Sequence, residues 1–285
     1  MIVSIHGNSL TRVASTPQEA VNIAARAGLK YIELTVTTWK MNPETVTKED
    51  IASLKSMFKS AGVEASSLGM IWPRDYRMVT GSPDEWRRNI NYADRLFQFS
   101  AALGVENLNL GGTARGIPLS IPYSEGLKTL VKFWKEASRY AENYGVKICI
   151  ECLTRSHESN VGNTAKEIID LVEAVDSHSF KINAQIHQMA YTDYDVPAAI
   201  RASGDRIRLV HIADVGGFNR IMDTPSFKMP GRGKLDFVSI FKAFKDVSYD
   251  GEFCMEPQPE TLLGRDAISE LRMGKECLEA KWREA

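Results

Sequence analysis

Eight times along the chain a short apolar run gives way to a longer stretch with helical spacing, and few folds accommodate that alternation. Ile2 to Ile5 is the first strand. A helix follows from the Ser15-Thr16-Pro17 cap, with proline at its first position, and ends at Ala27-Gly28. Tyr31 to Thr35 is the second strand, the helix from Thr47 to Ala61 stops at Gly62, and VEASSLGM is the third strand. Pro83 opens a long helix through Leu103, Gly104 ends it, and VENLNLGG is the fourth strand, with glycines at its exit. In the second half a helix from about Tyr123 to Asn143 leads past Gly145 into VKICIE, and one from Thr164 to Val175 leads into FKINAQIH. Val196 to Ala202, closed by Gly204, precedes RIRLVHIA. Phe237 to Lys245 precedes EFCME, and a last helix closes the chain.

Strands alternating with helices argue for a parallel sheet, and eight such units match the closed (β/α)₈ or TIM barrel of the α/β class. A chain of 285 residues would hold one such barrel or two average domains. No Pro-, Gly- or Ser-rich linker interrupts the rhythm, so a single domain over 1–285 is expected. A doubly wound open sheet would need a glycine-rich phosphate turn after the first strand, and HGNSLTR is not one.

Active sites of this barrel sit at the C-terminal strand ends. His6, Glu33, Asn109, Glu151, His187, His211 and Glu256 all fall at or just past such ends. Carboxylates are seldom buried unless paired or metal-bound, so Glu151 at the tip of an apolar strand reads as a site residue. Glu151, His211 and Glu256 together offer carboxylate oxygens and an imidazole, a set that suits Mn²⁺, Mg²⁺, Co²⁺ or Zn²⁺. The competing reading pairs the two acids with lysines or arginines and makes His211 a hydrogen-bonded core histidine. Cys149 and Cys152 form a C-x-x-C, but inside a strand, where they face opposite sides rather than acting as a redox pair.

A net charge of -1 with 25% charged residues leaves no electrostatic footprint for nucleic acid, and a small polar substrate fits better. MIVSIHGNSL lacks a signal-peptide pattern and no apolar run approaches a membrane span, so a cytoplasmic protein without membrane association is expected.

The motifs IECLTR around Glu151, VHIAD around His211, PGRGKLDF from Pro230 to Phe237 and YDGEFCMEP ending at Glu256 and Pro257 carry a resemblance. With them the chain resembles the xylose isomerase-like superfamily over nearly its whole length, in particular the sugar isomerase/epimerase group that includes tagatose/psicose 3-epimerases, hydroxypyruvate isomerase and inosose dehydratase. The resemblance implies that Glu151, His211 and Glu256 bind the metal, Mn²⁺ first among the candidates, and that the segment before the last helix closes over a sugar. It implies that Glu151 and Glu256 also serve as acid and base, moving a proton beside a carbonyl through an enediolate that the ion stabilises.

Two departures from the family pattern concern the substrate side. The usual D-x-x-H reads Ala184-Gln185-Ile186-His187 here, so Gln185 supplies a neutral oxygen, or His187 becomes a ligand, or the metal is lost. The arginine that epimerases carry six residues after the metal histidine is Gly217, with Arg220 and Arg232 as substitutes. His187 would hydrogen-bond a substrate hydroxyl, and His157 or Glu158 would orient another. His6 and Glu33 match positions that line the family's pocket, although Glu33 equally suits a loop-stabilising role. Trp72, like Trp39, either stacks on a sugar face or packs in the core. Asp214 either holds His211 from behind or caps the next turn, and His178 is solvent-facing.

The leading function is a metal-dependent sugar isomerase or epimerase. A lyase or dehydratase of keto-sugars, including 3-keto glycosides, is the enzyme alternative. A sugar-binding barrel without catalysis is the alternative of another class, and a homo-oligomer or a partner subunit is compatible with either. The superfamily's DNA-repair endonucleases need a histidine-rich three-zinc cluster, which five histidines do not readily supply.

Overall fold

The computed structural model describes residues 1–112, 114–156, 159–193, 195–216 and 226–285. Eight parallel strands close into a barrel: β1 (Ile2–His6), β2 (Tyr31–Thr35), β3 (Glu64–Gly69), β4 (Asn107–Leu110), β5 (Lys147–Glu151), β6 (Phe180–Gln185), β7 (Ile207–Ile212) and β10 (Glu252–Met255). β10 closes the ring between β7 and β1. Two further short strands, β8 (Asp214–Val215) and β9 (Phe227–Lys228), pair antiparallel above the seventh strand.

The helices start and stop where local chemistry dictates. Thr47 caps α2 (Lys48–Ala61) in a reciprocal box with Asp50, and Gly62 ends it in the left-handed conformation. Ser82 and Pro83 open α3 (Pro83–Leu103), and Gly104 and Gly145 terminate α3 and α4 (Tyr123–Tyr144) in the same way. One helix departs from the sequence expectation. The sixth strand ends at Gln185 rather than running to His187, and the chain turns at once into α6 (Ile186–Thr192). Ile186, Met189 and Ala190 are among its buried residues, the i, i+3, i+4 spacing of a short amphipathic helix.

Between α3, α4 and the barrel wall, Trp72, Tyr92, Phe133, Trp134 and Phe180 pack largely edge to face. A second aromatic group, Phe241, Phe244, Phe253 and Trp282, ties α8 (Phe237–Asp246) and α9 (Ala267–Glu284) to β10.

The barrel interior is unusually polar. Between β2 and β3 the register slips: Ile32 pairs with Ala65, but Glu33 pairs with Ser67. The extra residue, Ser66, breaks the normal alternation, so two successive serines serve interior carboxylates. Ser66 Oγ donates to Glu252 Oε1 (2.9 Å) near the barrel floor, and Ser67 Oγ donates to Glu33 Oε2 (2.7 Å) higher up.

Glu252 also accepts from Ser4 Oγ (3.1 Å). Burial pushes its carboxyl up to about 7 from an ordinary value of 4.5, with the hydroxyls of Ser66 and Ser4 opposing and Glu33 adding to the rise. The folded chain therefore keeps a proton that the unfolded chain gives up, and stability falls as pH rises through that window. Glu252→Gln retains an oxygen for both serines and does not titrate. Urea unfolding at pH 5 and pH 8 should show the variant gaining about 2 kcal/mol on the parent between the two, allowing for partial solvent screening at the floor. A constant difference would mean that Glu252 titrates as an exposed acid does.

Candidate active site

Strand register brings the polar residues of the mouth together. His6 pairs with Glu33 across β1 and β2, and Gln185 with His211 across β6 and β7. Glu256 lies one residue past β10, where its backbone N–H donates to Ile212 O (2.9 Å). Asn183 Nδ2 donates to Asn109 Oδ1 (2.9 Å) across the interior. Alternation along β6 then turns Gln185 inward and Ala184 outward. The aspartate position of D-x-x-H is thus Ala184, and the polar side chain that reaches the mouth is that of Gln185, one residue later, whose Nε2 donates to Glu256 Oε2 (2.8 Å).

His211 is the hub. Its Nδ1 lies 2.9 Å from Glu256 Oε2, and its Nε2 lies 3.1 Å from Glu33 Oε2 on the far side of the barrel. His6 Nε2 lies 3.0 Å from Glu33 Oε1 and 3.8 Å from Glu256 Oε1. His187, in the first turn of α6, brings Nε2 to 3.5 Å from Glu256 Oε2 and packs edge-on against Phe227. His6, Glu33, Glu151, Gln185, His187 and His211 are all buried, while the Glu256 side chain keeps 21% of its surface exposed and so faces the opening.

Charge divides the two proposed acid–base residues. Burial works against ionisation at Glu256, but the adjacent His6 and His211 hold its carboxyl well below the usual range. Glu151 forms no ion pair among the described residues. Burial, and then the charge of Glu256, push it up to about 7, while His211 and Arg115 oppose. His211, between two carboxylates, is held well above its ordinary value despite burial. Burial lowers His187 to about 4, so it is a neutral imidazole near pH 7. Carboxyls driven apart in this way are the arrangement from which acid and base roles follow.

Several buried atoms of these side chains have no hydrogen-bond partner among the described residues: Glu151 Oε2, Gln185 Oε1, His187 Nδ1, His6 Nδ1 and Glu33 Oε1. Buried polar atoms left open usually serve a ligand, a water or an ion. Two carboxylates, an amide oxygen and an imidazole suit a divalent cation, whose charge would also relieve the repulsion that raises Glu151. Glu33, His211 and Cys254 likewise bring ligand atoms within 4.8 Å of one another. There, however, Glu33 Oε2 already accepts from Ser67 and lies 3.1 Å from His211 Nε2, Glu33 Oε1 lies 3.0 Å from His6 Nε2, and burial holds the Cys254 thiol well above its ordinary value. With its sulfur kept as a thiol, that trio is a poorer cation site than the oxygens and imidazole beside Glu256.

Other residues stand elsewhere. Glu33 is fully buried and committed to two imidazoles and a hydroxyl, so it does not line the pocket as expected. Trp72 is a core residue: its indole N–H donates to Tyr76 O (2.7 Å) and its ring packs against Tyr92, Phe133 and Trp134. Arg232 does not reach the mouth. It pairs with Glu270 of α9 (2.8 Å), which Arg265 also approaches at 3.2 Å. Asp214 supports the closing segment rather than His211, accepting from the backbone N–H groups of Val215, Gly231, Gly233 and Leu235. His157, Glu158, Gly217 and Arg220 lie outside the described residues. Cys149 and Cys152 are buried free thiols, and His178 is exposed.

Arg115 and two glycines escape a reading of the sequence. The Arg115 guanidinium is buried and donates to three carbonyls, Glu151 O (2.6 Å), Leu110 O (3.3 Å) and Val161 O (3.2 Å), clamping the ends of β4 and β5 together. A Cβ on Gly69 would fall 1.9 Å from Glu33 Oε1, and one on Gly111 would fall 2.1 Å from Glu151 Oε1. The glycine pair at the exit of the fourth strand is the available signal for the second.

A family model described as a xylose isomerase-like TIM barrel matches residues 21–277. The D-psicose 3-epimerase of Ruminiclostridium cellulolyticum is 34% identical over 123 residues, covering 43% of this chain and 38% of that protein's length. The inosose dehydratase of Geobacillus kaustophilus is 22% identical over 253 residues, covering 81% of this chain and 79% of that protein. A crystal structure of D-psicose 3-epimerase with D-tagatose from Clostridium cellulolyticum H10 superposes with a TM-score of 0.82 at 19% identity and covers 99% of each chain, a likeness of fold.

Proposed function

Because this chain belongs to the xylose isomerase-like TIM barrel family, we propose that it is a sugar isomerase or epimerase, moving a proton on the carbon beside a carbonyl. The observation that carries the reading is the gathering of two carboxylates, Glu151 and Glu256, with three imidazoles at the strand ends that form the mouth. Glu256, kept ionised and partly exposed, is suited to accept the proton. Glu151, on β5, is suited to return a proton from another part of the rim, and the roles exchange in the reverse direction. Neutral His187 would hydrogen-bond a substrate hydroxyl. Glu151, Gln185, His211 and Glu256 would hold a divalent ion, Mn²⁺ before Mg²⁺, Co²⁺ or Zn²⁺, in keeping with a mainly oxygen donor set. Such an ion supplies Lewis-acid polarisation of the carbonyl, which lowers the cost of the enediolate.

Gln185 keeps a second reading in view. One carboxylate fewer at the ion suits a substrate that brings its own negative charge or expels a leaving group. The same proton abstraction then ends in elimination from a keto-sugar or a 3-keto glycoside. The substrate on either reading is a small carbohydrate. No helix among the described residues is long and apolar enough to cross a membrane, and a cytoplasmic location is part of the proposal.

Incubation in D₂O with D-psicose, D-fructose and D-tagatose, with Mn²⁺ and then with EDTA, tests the main reading. Metal-dependent deuterium incorporation beside the carbonyl is expected. Release of an aglycone from a 3-keto glycoside, without exchange into any ketohexose, would transfer the assignment to the lyase. Neither reaction, with no metal retained, would leave a sugar-binding barrel.

A further inference from the structure

Glu33 belongs to none of the acid–base or ligand roles above, yet the barrel is built around it. It is fully buried, its two oxygens face two different imidazoles at 3.0 and 3.1 Å, and Ser67 Oγ donates to it at 2.7 Å. The β2–β3 register slip supplies that serine, and Gly69 leaves the space its carboxylate fills. His6 and His211 meet edge to face with ring centres 5.4 Å apart, so one carboxylate braces both rings.

We infer that Glu33 is a positioning residue that accepts the Nε2 hydrogens of His6 and His211 from beneath, fixing the His211 ring so that Nδ1 is the nitrogen presented to a bound divalent ion. This rests on the metal reading of the mouth. A carboxylate on the far nitrogen sets the tautomer and orientation of a ligating imidazole and raises its basicity; losing it commonly weakens metal binding by about 10- to 100-fold. Glutamine at 33 retains the length of the side chain but has only one oxygen, so it cannot accept from both rings at once.

Zinc affinity of the full chain, measured by competition with a chromophoric chelator, is expected to fall about 10- to 100-fold in Glu33→Gln, with the circular dichroism spectrum unchanged. A purely structural role would lower the melting temperature and leave the affinity of the folded fraction alone. Long-range ¹H–¹⁵N spectra of zinc-loaded wild-type protein give a second readout that needs no variant. His211 should show a metal-shifted Nδ1 and a protonated Nε2. Equal zinc affinity in the variant, or metal on Nε2, would overturn the role of Glu33. If the variant fails to fold, the wild-type spectrum decides. A wild-type protein that binds no zinc removes the metal reading and this inference together, an outcome distinct from the other two.

Discussion

Glu256→Gln should abolish deuterium exchange into a ketohexose to within about one part in 10³ of the parent rate, the loss expected when a positioned general base is replaced by an amide. The side chain is the point on which four others converge. His211 Nδ1 and Gln185 Nε2 lie within 2.9 Å of Oε2, His187 Nε2 lies 3.5 Å from it, and His6 Nε2 lies 3.8 Å from Oε1. An amide cannot accept a proton from carbon, and its NH₂ cannot face Gln185 Nε2 and His211 without opposing like donors. Glu151→Gln should cost a comparable factor in rate but differ in stability. In metal-free protein at pH 8, the ionised Glu151 is penalised by burial and by Glu256, so its removal should leave the melting temperature unchanged or raised. Ionised Glu256 is favoured by its histidines, and its removal should lower it. Paired melts in EDTA read the contrast directly. Equal shifts for the two variants would mean that the carboxyls do not share one field.

The fold is legible in the sequence because its signals are local. Thr47 with Asp50, Ser82 with Pro83, and the glycines at 62, 104 and 145 are each read from a handful of neighbouring residues, and each bounds a helix where expected. The convergence of His6, Gln185, His187, His211 and Glu256 is legible too, since strand ends of a barrel share one rim. The division of labour among them is not. Glu33 and His211 are 178 positions apart, and nothing local in YIELT says that its acid turns under an imidazole from β7. That orientation depends on a one-residue slip between β2 and β3. Arg115 looks like a surface residue until three strand-end carbonyls close around it, and Arg232 looks like a substrate arginine until Glu270 on α9 claims it. Asp214, adjacent in sequence to the His211 strand, invites a role that sheet geometry gives to Glu33. Its own oxygens are spent on the turn from Gly231 to Leu235.

Gly111→Ala tests the placement of Glu151 without changing any group that carries charge. The added methyl carbon would fall 2.1 Å from Glu151 Oε1 and 2.8 Å from its Cδ. What must move is the end of a flexible side chain, not backbone, and Gly111 does not sit at a positive φ. The protein should therefore fold with a melting temperature near that of the parent while the carboxylate swings away by roughly an ångström or more. Misplacement on that scale costs about 10²-fold in rate. The next residue provides the converse. Gly112 has φ +88°, and a Cβ added there would meet no atom within 4 Å among the described residues, so Gly112→Ala meets no clash but strains the backbone. It should lose about 1 kcal/mol of stability and keep its rate. Two alanines at adjacent positions would then separate activity from stability in opposite directions. If Gly111→Ala retained full exchange activity, the Glu151 carboxylate would not be the group that handles the proton.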